Sequence, residues 1–508
     1  MTLTGPLQAR DARGLLRDSF LVFVLGVVLG AAWSWRPSFW YDEVATLYSS
    51  QRSRPDLSNL LGHIDAVHGL YYVGMRYWFE MFGASEFSAR FPSALAAGTA
   101  GAGVVVLGAL ISTRRVAGLS GILFVMLPSV TWAAVEARGY ALTATAAVWL
   151  TVILLAALRF RRWWLWVLYA GGLAVSIVLF VYLLTLVPAH LLTILLLREA
   201  RRSWLGWTSA TAAGLVVAAP LVALVRRESV QVAWIPPLDD HLPRAVAEYQ
   251  WFVGAPWFAV LFAVLVVAGS VALVRNGRHL PPVLSVTVPW VLVPMALLLV
   301  YSLLRTPVYL PRYFTFTTPA VALVGGLCLA ALTRQWWQSA AVLAVFAVAA
   351  SPSYLAQREQ WAKPSGMDFS TVNGFAGQNV RPGDCVLFDT PAWNPTSLRL
   401  VKNVRPEAFD GTRDIGLGAT AASRGSLWDD ELAVPDVAGA LDSCSVVWFF
   451  TDYERDTERV IRHTSNEVWT LPPYHFEDTE AFAALTRSGL RIDERRTFNV
   501  TQAVKLVR

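Results

Sequence analysis

Long apolar runs recur along this chain as far as position 351 and then stop. A helix needs roughly 20 predominantly apolar residues to cross a hydrocarbon layer, and on that measure the pattern predicts about eleven spans. They fall near 16–35, 91–111, 116–134, 139–158, 163–179, 181–197, 205–225, 256–274, 283–304, 314–332 and 336–351. The division between 163–179 and 181–197 rests on a tight turn near Phe180, because no charged residue interrupts that run. Beyond 351 short apolar runs alternate with polar stretches. CVLFD at 385–389 and SVVWFFTD at 445–452 read as buried strands, VPDVAGAL and TEAFAALTRSG as amphipathic helices, and LRIDERRTFNVTQAVKLV as a closing pair of strands. The expected fold class is a polytopic α-helical membrane protein with a C-terminal α/β domain. Its expected parts are 1–351, with a long first loop at 36–90, and 352–508.

Composition agrees with lipid as the solvent: 55% of the 508 residues are hydrophobic and only 15% charged, against about 25% charge in soluble domains. The net charge of +6 does not point to nucleic acid, since the arginines sit in short clusters between apolar runs rather than along one basic face. The first apolar run has the look of a secretory signal, but AAWSWRPSFWYD at 31–42 continues into bulky aromatics and more spans follow, so it reads as a retained helix. Arg10, Arg13 and Arg17, then Arg114 and Arg115, Arg159, Arg161 and Arg162, Arg198, Arg201 and Arg202, Arg275 and Arg278, and Arg334 fall on one side of the spans. That side is expected to be the cytoplasm. Loops 36–90, 226–255 and 305–313 and the tail from 352 then face outward, where Arg226, Arg227, Arg305 and Arg312 break the charge rule. In an oxidising outer compartment Cys385 and Cys444, each beside a predicted strand, form either a disulfide or two buried thiols.

Chemistry is expected at the outer boundary. Asp42 and Glu43 follow the first span directly in FWYDEVATLY, and adjacent carboxylates at a membrane edge are costly to place without a use. They either open an interfacial helix, where the helix dipole favours acids, or serve a reaction, with Asp42 accepting a proton or coordinating a metal. A divalent metal ion is the one cofactor left open. His68, Tyr71 and Tyr72 lie in an amphipathic stretch suited to the interface. In VEARGYAL, Glu136, Arg138 and Tyr140 return polar groups to membrane depth, where Arg138 either pairs with Glu136 or reaches a phosphate by forked hydrogen bonds. Trp234 in VQVAWIPPLDDHL is placed to stack on sugar or to anchor a loop, and Asp239, Asp240 and His241 either bind a metal or face solvent. Asp389 and Asp452, at predicted strand ends, read as turn caps.

The ordered set WYDE after the first span, H-x-L-Y-Y and FGxSEFSxRFPSAL leading into the second, EARGYAL opening the fourth and PRYFTFTTPA opening a late span resembles the GT-C superfamily of membrane glycosyltransferases. Within it the likeness is to the protein mannosyltransferase and aminoarabinose transferase group, over about residues 30–350. The resemblance implies transfer of a sugar, mannose or arabinose, from a polyprenyl-phosphate donor to a glycan, lipid or protein acceptor on the outer face of the cytoplasmic membrane, in one inverting displacement. It gives Asp42 the role of base or metal-linked carboxylate, with Glu43 in support. Arg138, Arg312 and Tyr313 match positions that face the lipid phosphate, while Gly69 stands where relatives commonly have Pro after the loop His. No Rossmann-type glycine pattern stands out, in keeping with a lipid-linked donor. A transporter or flippase of lipid-linked sugar is the rival class, and a noncatalytic assembly subunit a third. A transporter would place ionisable groups at the bilayer midplane rather than at its outer edge.

Overall fold

The computed structural model describes residues 9–197, 203–228, 232–275, 282–462 and 468–508. The basic cluster at 198–202, Arg278 and residues 230–231 lie outside the described residues. The chain divides into two compact units. One comprises Met1–Ser34, Val67–Tyr71 and Arg90–Gln357; the other comprises Trp35–Ala66, Tyr72–Ala89 and Arg358–Arg508, so most of the first loop groups with the tail.

The first unit is helical. Among the described residues eight helices are long and apolar enough to cross a membrane: Ala12–Ala31, Glu86–Ile111, Tyr140–Phe160, Trp204–Arg227, Pro256–Arg275, Pro282–Leu304, Pro311–Leu332 and Trp336–Ala356. Trp163–Leu179 and Val181–Leu196 are shorter apolar helices that meet at Phe180, whose backbone is extended. The run expected at 116–134 is broken into Arg114–Met126 and Pro128–Ala133. Proline lacks an amide hydrogen and pushes the residue before it out of helical geometry, and Leu127 accordingly has φ −59° and ψ 127°.

Burial sorts these helices. The most apolar windows of Glu86–Ile111 and Pro311–Leu332 are 78% buried, against 17% for Trp336–Ala356 and 22% for Ala12–Ala31. A helix apolar on every side can stand at the centre of a bundle or present a face to lipid, and here both kinds occur. Small residues permit the closest approaches. A β-carbon on Gly26 would stand 2.8 Å from the Cα of Gly98, and one on Gly326 would stand 2.7 Å from the amide nitrogen of Ser120. Polar groups tie further helices together. Thr151 Oγ1 donates to the Ala147 carbonyl and lies 3.1 Å from His190 Nε2, while Tyr169 Oη lies 2.9 Å from Nδ1 and accepts from Trp207 Nε1 at 3.3 Å. The tautomer protonated at Nε2 satisfies every member. Basic residues expected on one side also gather: Arg114 forms a two-pronged pair with Asp18 at 2.6 and 2.9 Å, and Arg115 donates to the Arg334 carbonyl at 3.0 Å.

The second unit holds a five-stranded sheet of order β2-β1-β3-β7-β6, from β1 (Cys385–Phe388), β2 (Arg413–Asp414), β3 (Val446–Asp452), β6 (Arg491–Thr497) and β7 (Thr501–Val507). Strands β4 (Arg459–Arg462) and β5 (Val468–Leu471) form a separate pair. β2, β1 and β3 are parallel; β7 and β6 add antiparallel. β6 closes the edge with the charged sequence RIDERRT, which discourages pairing with another chain. A disulfide joins Cys385 on β1 to Cys444, just before β3. Strand-end acids have structural partners: Asp452 pairs with Arg455 at 2.6 Å and accepts from Trp393 Nε1 at 2.8 Å, and Asp389 accepts from Thr451 and Tyr474.

Candidate functional site

Asp42 and Glu43 occupy the first turn of the helix Tyr41–Ser50 in the second unit. The partial positive charge of that turn favours acids there. Successive residues on a helix point about 100° apart, and the pair divides accordingly. Glu43 is fully buried with Lys363 Nζ 3.4 Å away, itself 4% exposed, whereas Asp42 is half-buried. Of the two carboxylates, Asp42 is the more accessible. The start of the helix is anchored by neighbours from the tail: the Ser38 amide donates to the Gln360 carbonyl, the Phe39 amide to Ser370 Oγ and the Tyr41 amide to Met367 Sδ. Further along, Tyr48 Oη donates to both carboxylate oxygens of Asp429 at 3.0 Å, and burial together with that carboxylate raises the phenol above its usual range.

Tyr72 belongs to the same unit and is fully buried, donating to Asp65 Oδ2 at 2.5 Å. That contact gives it a place in holding the loop. Asp65 adopts the left-handed region, φ 65°, which aspartate tolerates better than most residues.

The first unit collects the other residues. Residues 134–139 follow the break after Ala133 as a buried non-helical turn, with Glu136 fully buried and Arg138 5% exposed. Irregular backbone at such depth requires protein partners, and Ser93 Oγ supplies them, donating to the carbonyls of Glu136 at 2.6 Å and Arg138 at 3.2 Å. Tyr71 packs beside this turn: its Cδ2 lies 3.8 Å from where a β-carbon on Gly139 would stand. His68 ends the short turn Ala66–His68 and is half-buried.

Arg312 and Tyr313 lie in the 3₁₀ helix Pro311–Thr317. The Arg312 guanidinium sits 5.6 Å from the centre of the Trp234 ring and 5.8 Å from that of Tyr313. Tyr313 is surrounded by the rings of Tyr182 (5.5 Å), Phe180 (5.6 Å) and Tyr140 (6.3 Å). Tyr140, Trp234, Arg312 and Tyr313 are thus drawn into one aromatic and cationic cluster. Its chemistry suits an anion with an apolar attachment: the guanidinium supplies charge and fixed donors, and the rings cover its faces.

Asp239, Asp240 and His241 have ligand atoms within 4.8 Å of one another, but all three residues are exposed. Among the described residues Asp42 and Glu43 belong to no such group of three. Sequence reading missed Lys363, because a lone lysine in WAKPSG gives no hint that its partner lies 320 positions earlier. It also missed Trp428 and Asp429, whose rings and carboxylate meet the carboxylate-bearing helix only in three dimensions.

No family model and no curated protein matches the chain. Among solved structures it is similar to ArnT from Cupriavidus metallidurans in the apo state, with a TM-score of 0.61, 14% identity and coverage of 97% of this chain and 98% of that one. ArnT from the same organism bound to undecaprenyl phosphate gives a TM-score of 0.54 at 13% identity, over 97% of each chain. The oligosaccharyltransferase of Archaeoglobus fulgidus in the apo form overlaps less, with a TM-score of 0.48, 11% identity and coverage of 85% of this chain and 69% of that one. ArnT is a GT-C glycosyltransferase. The chain therefore has the GT-C fold, a multi-pass helical membrane part with a C-terminal domain built on a sheet.

Proposed function

We propose that this protein is a glycosyltransferase that moves a sugar from a polyprenyl phosphate to an acceptor on the outer face of the cytoplasmic membrane. The observation that carries the reading is the likeness in fold to ArnT over 97% of the chain. Further support comes from the chemistry of the two residue sets: a half-buried carboxylate beside a fully buried one, and an arginine framed by aromatic rings.

In this reaction the Asp42 carboxylate takes the proton of an acceptor hydroxyl as its oxygen attacks the anomeric carbon. The bond from that carbon to the phosphate oxygen breaks, and the lipid phosphate leaves with the electron pair. Arg138 and Arg312 stabilise the charge gathering on the phosphate, with Tyr313 as a further donor. One displacement inverts the anomeric centre. Trp234 and Tyr140 offer rings to the sugar or the first isoprene units. Mannose and arabinose are the first sugars to test. Purified full-length protein supplied with labelled polyprenyl-phosphate mannose or arabinose and a membrane extract should release polyprenyl phosphate and label an acceptor. Binding of both donors without transfer, together with their movement across vesicles, would replace the reading with transport.

A further inference from the structure

Segment 421–429 of the tail grips the helix that carries Asp42 at both ends. Trp428 Nε1 donates to Tyr41 Oη at 2.7 Å, and the two rings pack with centres 5.1 Å apart. Two turns on, the Tyr48 ring lies parallel to Trp428 within 9°, and its hydroxyl meets Asp429, which also accepts the Ala421 amide at 2.6 Å and so closes the segment on itself. Arg52, just past the helix, donates to the carbonyls of Ser426 at 2.9 Å and Leu427 at 2.8 Å, with its guanidinium 4.8 Å from the Tyr48 ring centre. Asn59, on the next helix, donates to the Ala422 carbonyl at 3.2 Å. A ten-residue helix standing alone is marginal in water. Its position therefore depends on contacts from the rest of the unit, and these join the anchors at 360–370 in supplying them.

We propose that residues 421–429 form a clamp that positions the Asp42 helix for sugar transfer, with Trp428 and Asp429 as positioning residues acting through Tyr41 and Tyr48. The proposal rests on the transferase reading for its effect on turnover but not for its effect on the helix. The test is hydrogen exchange on the full-length protein in detergent, paired with transfer kinetics using polyprenyl-phosphate mannose and arabinose. Trp428→Ala and Asp429→Asn should speed exchange across residues 41–50 on the order of tenfold, with β3 and β7 protected as in the wild type. Trp428→Phe, which keeps a ring, should recover most of the protection. Turnover by Trp428→Ala should fall by about 10- to 100-fold with the donor KM within about twofold of wild type, as expected when a reacting group is displaced rather than a binding contact removed. Wild-type exchange at 41–50 in both variants would overturn the clamp. Faster exchange with unchanged kcat would overturn its role in transfer. Absence of transfer by the wild type would instead strike the transferase reading, leaving exchange to decide the clamp.

Discussion

Glu43 and Asp42 are adjacent in sequence and opposite in environment, and this divides their roles. Glu43 is sealed against Lys363. Removing one member of a buried pair strands a charge and costs about 3–5 kcal/mol, whereas removing both is far better tolerated. Glu43→Gln and Lys363→Met should each lower the thermal unfolding midpoint markedly, and the double variant should lose less than the sum of the two. Arg138→Ala should lower kcat/KM for the lipid donor by about 10- to 100-fold, divided between KM and kcat because the phosphate is charged before transfer and gains charge during it, read from transfer kinetics. The candidate residues stood out in the sequence because charges beside apolar runs are conspicuous. Which of two neighbouring acids is buried was not legible, since it depends on helix rotation and on a partner 320 positions away.

At the scale of elements, apolar period and length located the helices, short apolar runs located β1 and β3, and alternation located β6 and β7. The break at Leu127 escaped because Pro128 leaves the apolar run unbroken while ending the helix. His190 links helices Tyr140–Phe160, Trp163–Leu179 and Leu186–Leu196 and, through Tyr169, Trp204–Arg227. His190→Ala should leave Thr151 and Tyr169 without that partner and destabilise the protein in detergent by about 1–2 kcal/mol, without altering donor KM. In the tail the disulfide joins β1 to the turn just before β3, 59 residues on. Replacing both cysteines by serine should lower stability of that domain by about 2–5 kcal/mol, checked by thermal unfolding with and without reductant.

At the scale of the whole molecule, the order of spans and basic clusters predicts an outward-facing tail. A reporter fused after Arg508 should be active outside the cytoplasm; activity inside would mean a span count off by one. The grouping of most of the first loop with the tail was not legible, because the segments that meet, Tyr41 and Trp428, are separated by 387 positions and neither carries a pattern that names its partner. The fold class was legible because lipid imposes a simple rule on composition and length, whereas the tail obeys the less repetitive rules of a soluble core.

Purified wild type and Asp42→Asn, compared in transfer from polyprenyl-phosphate mannose and arabinose to a membrane-extract acceptor, separate a catalytic carboxylate from a structural one. Asp42 is half-buried and asparagine keeps its size and shape, so Asn should leave folding intact. Transfer by the wild type and its loss by at least about a thousandfold in Asp42→Asn is the predicted result. Transfer by Asp42→Asn within a few-fold of wild type would contradict the assignment of Asp42 as the base.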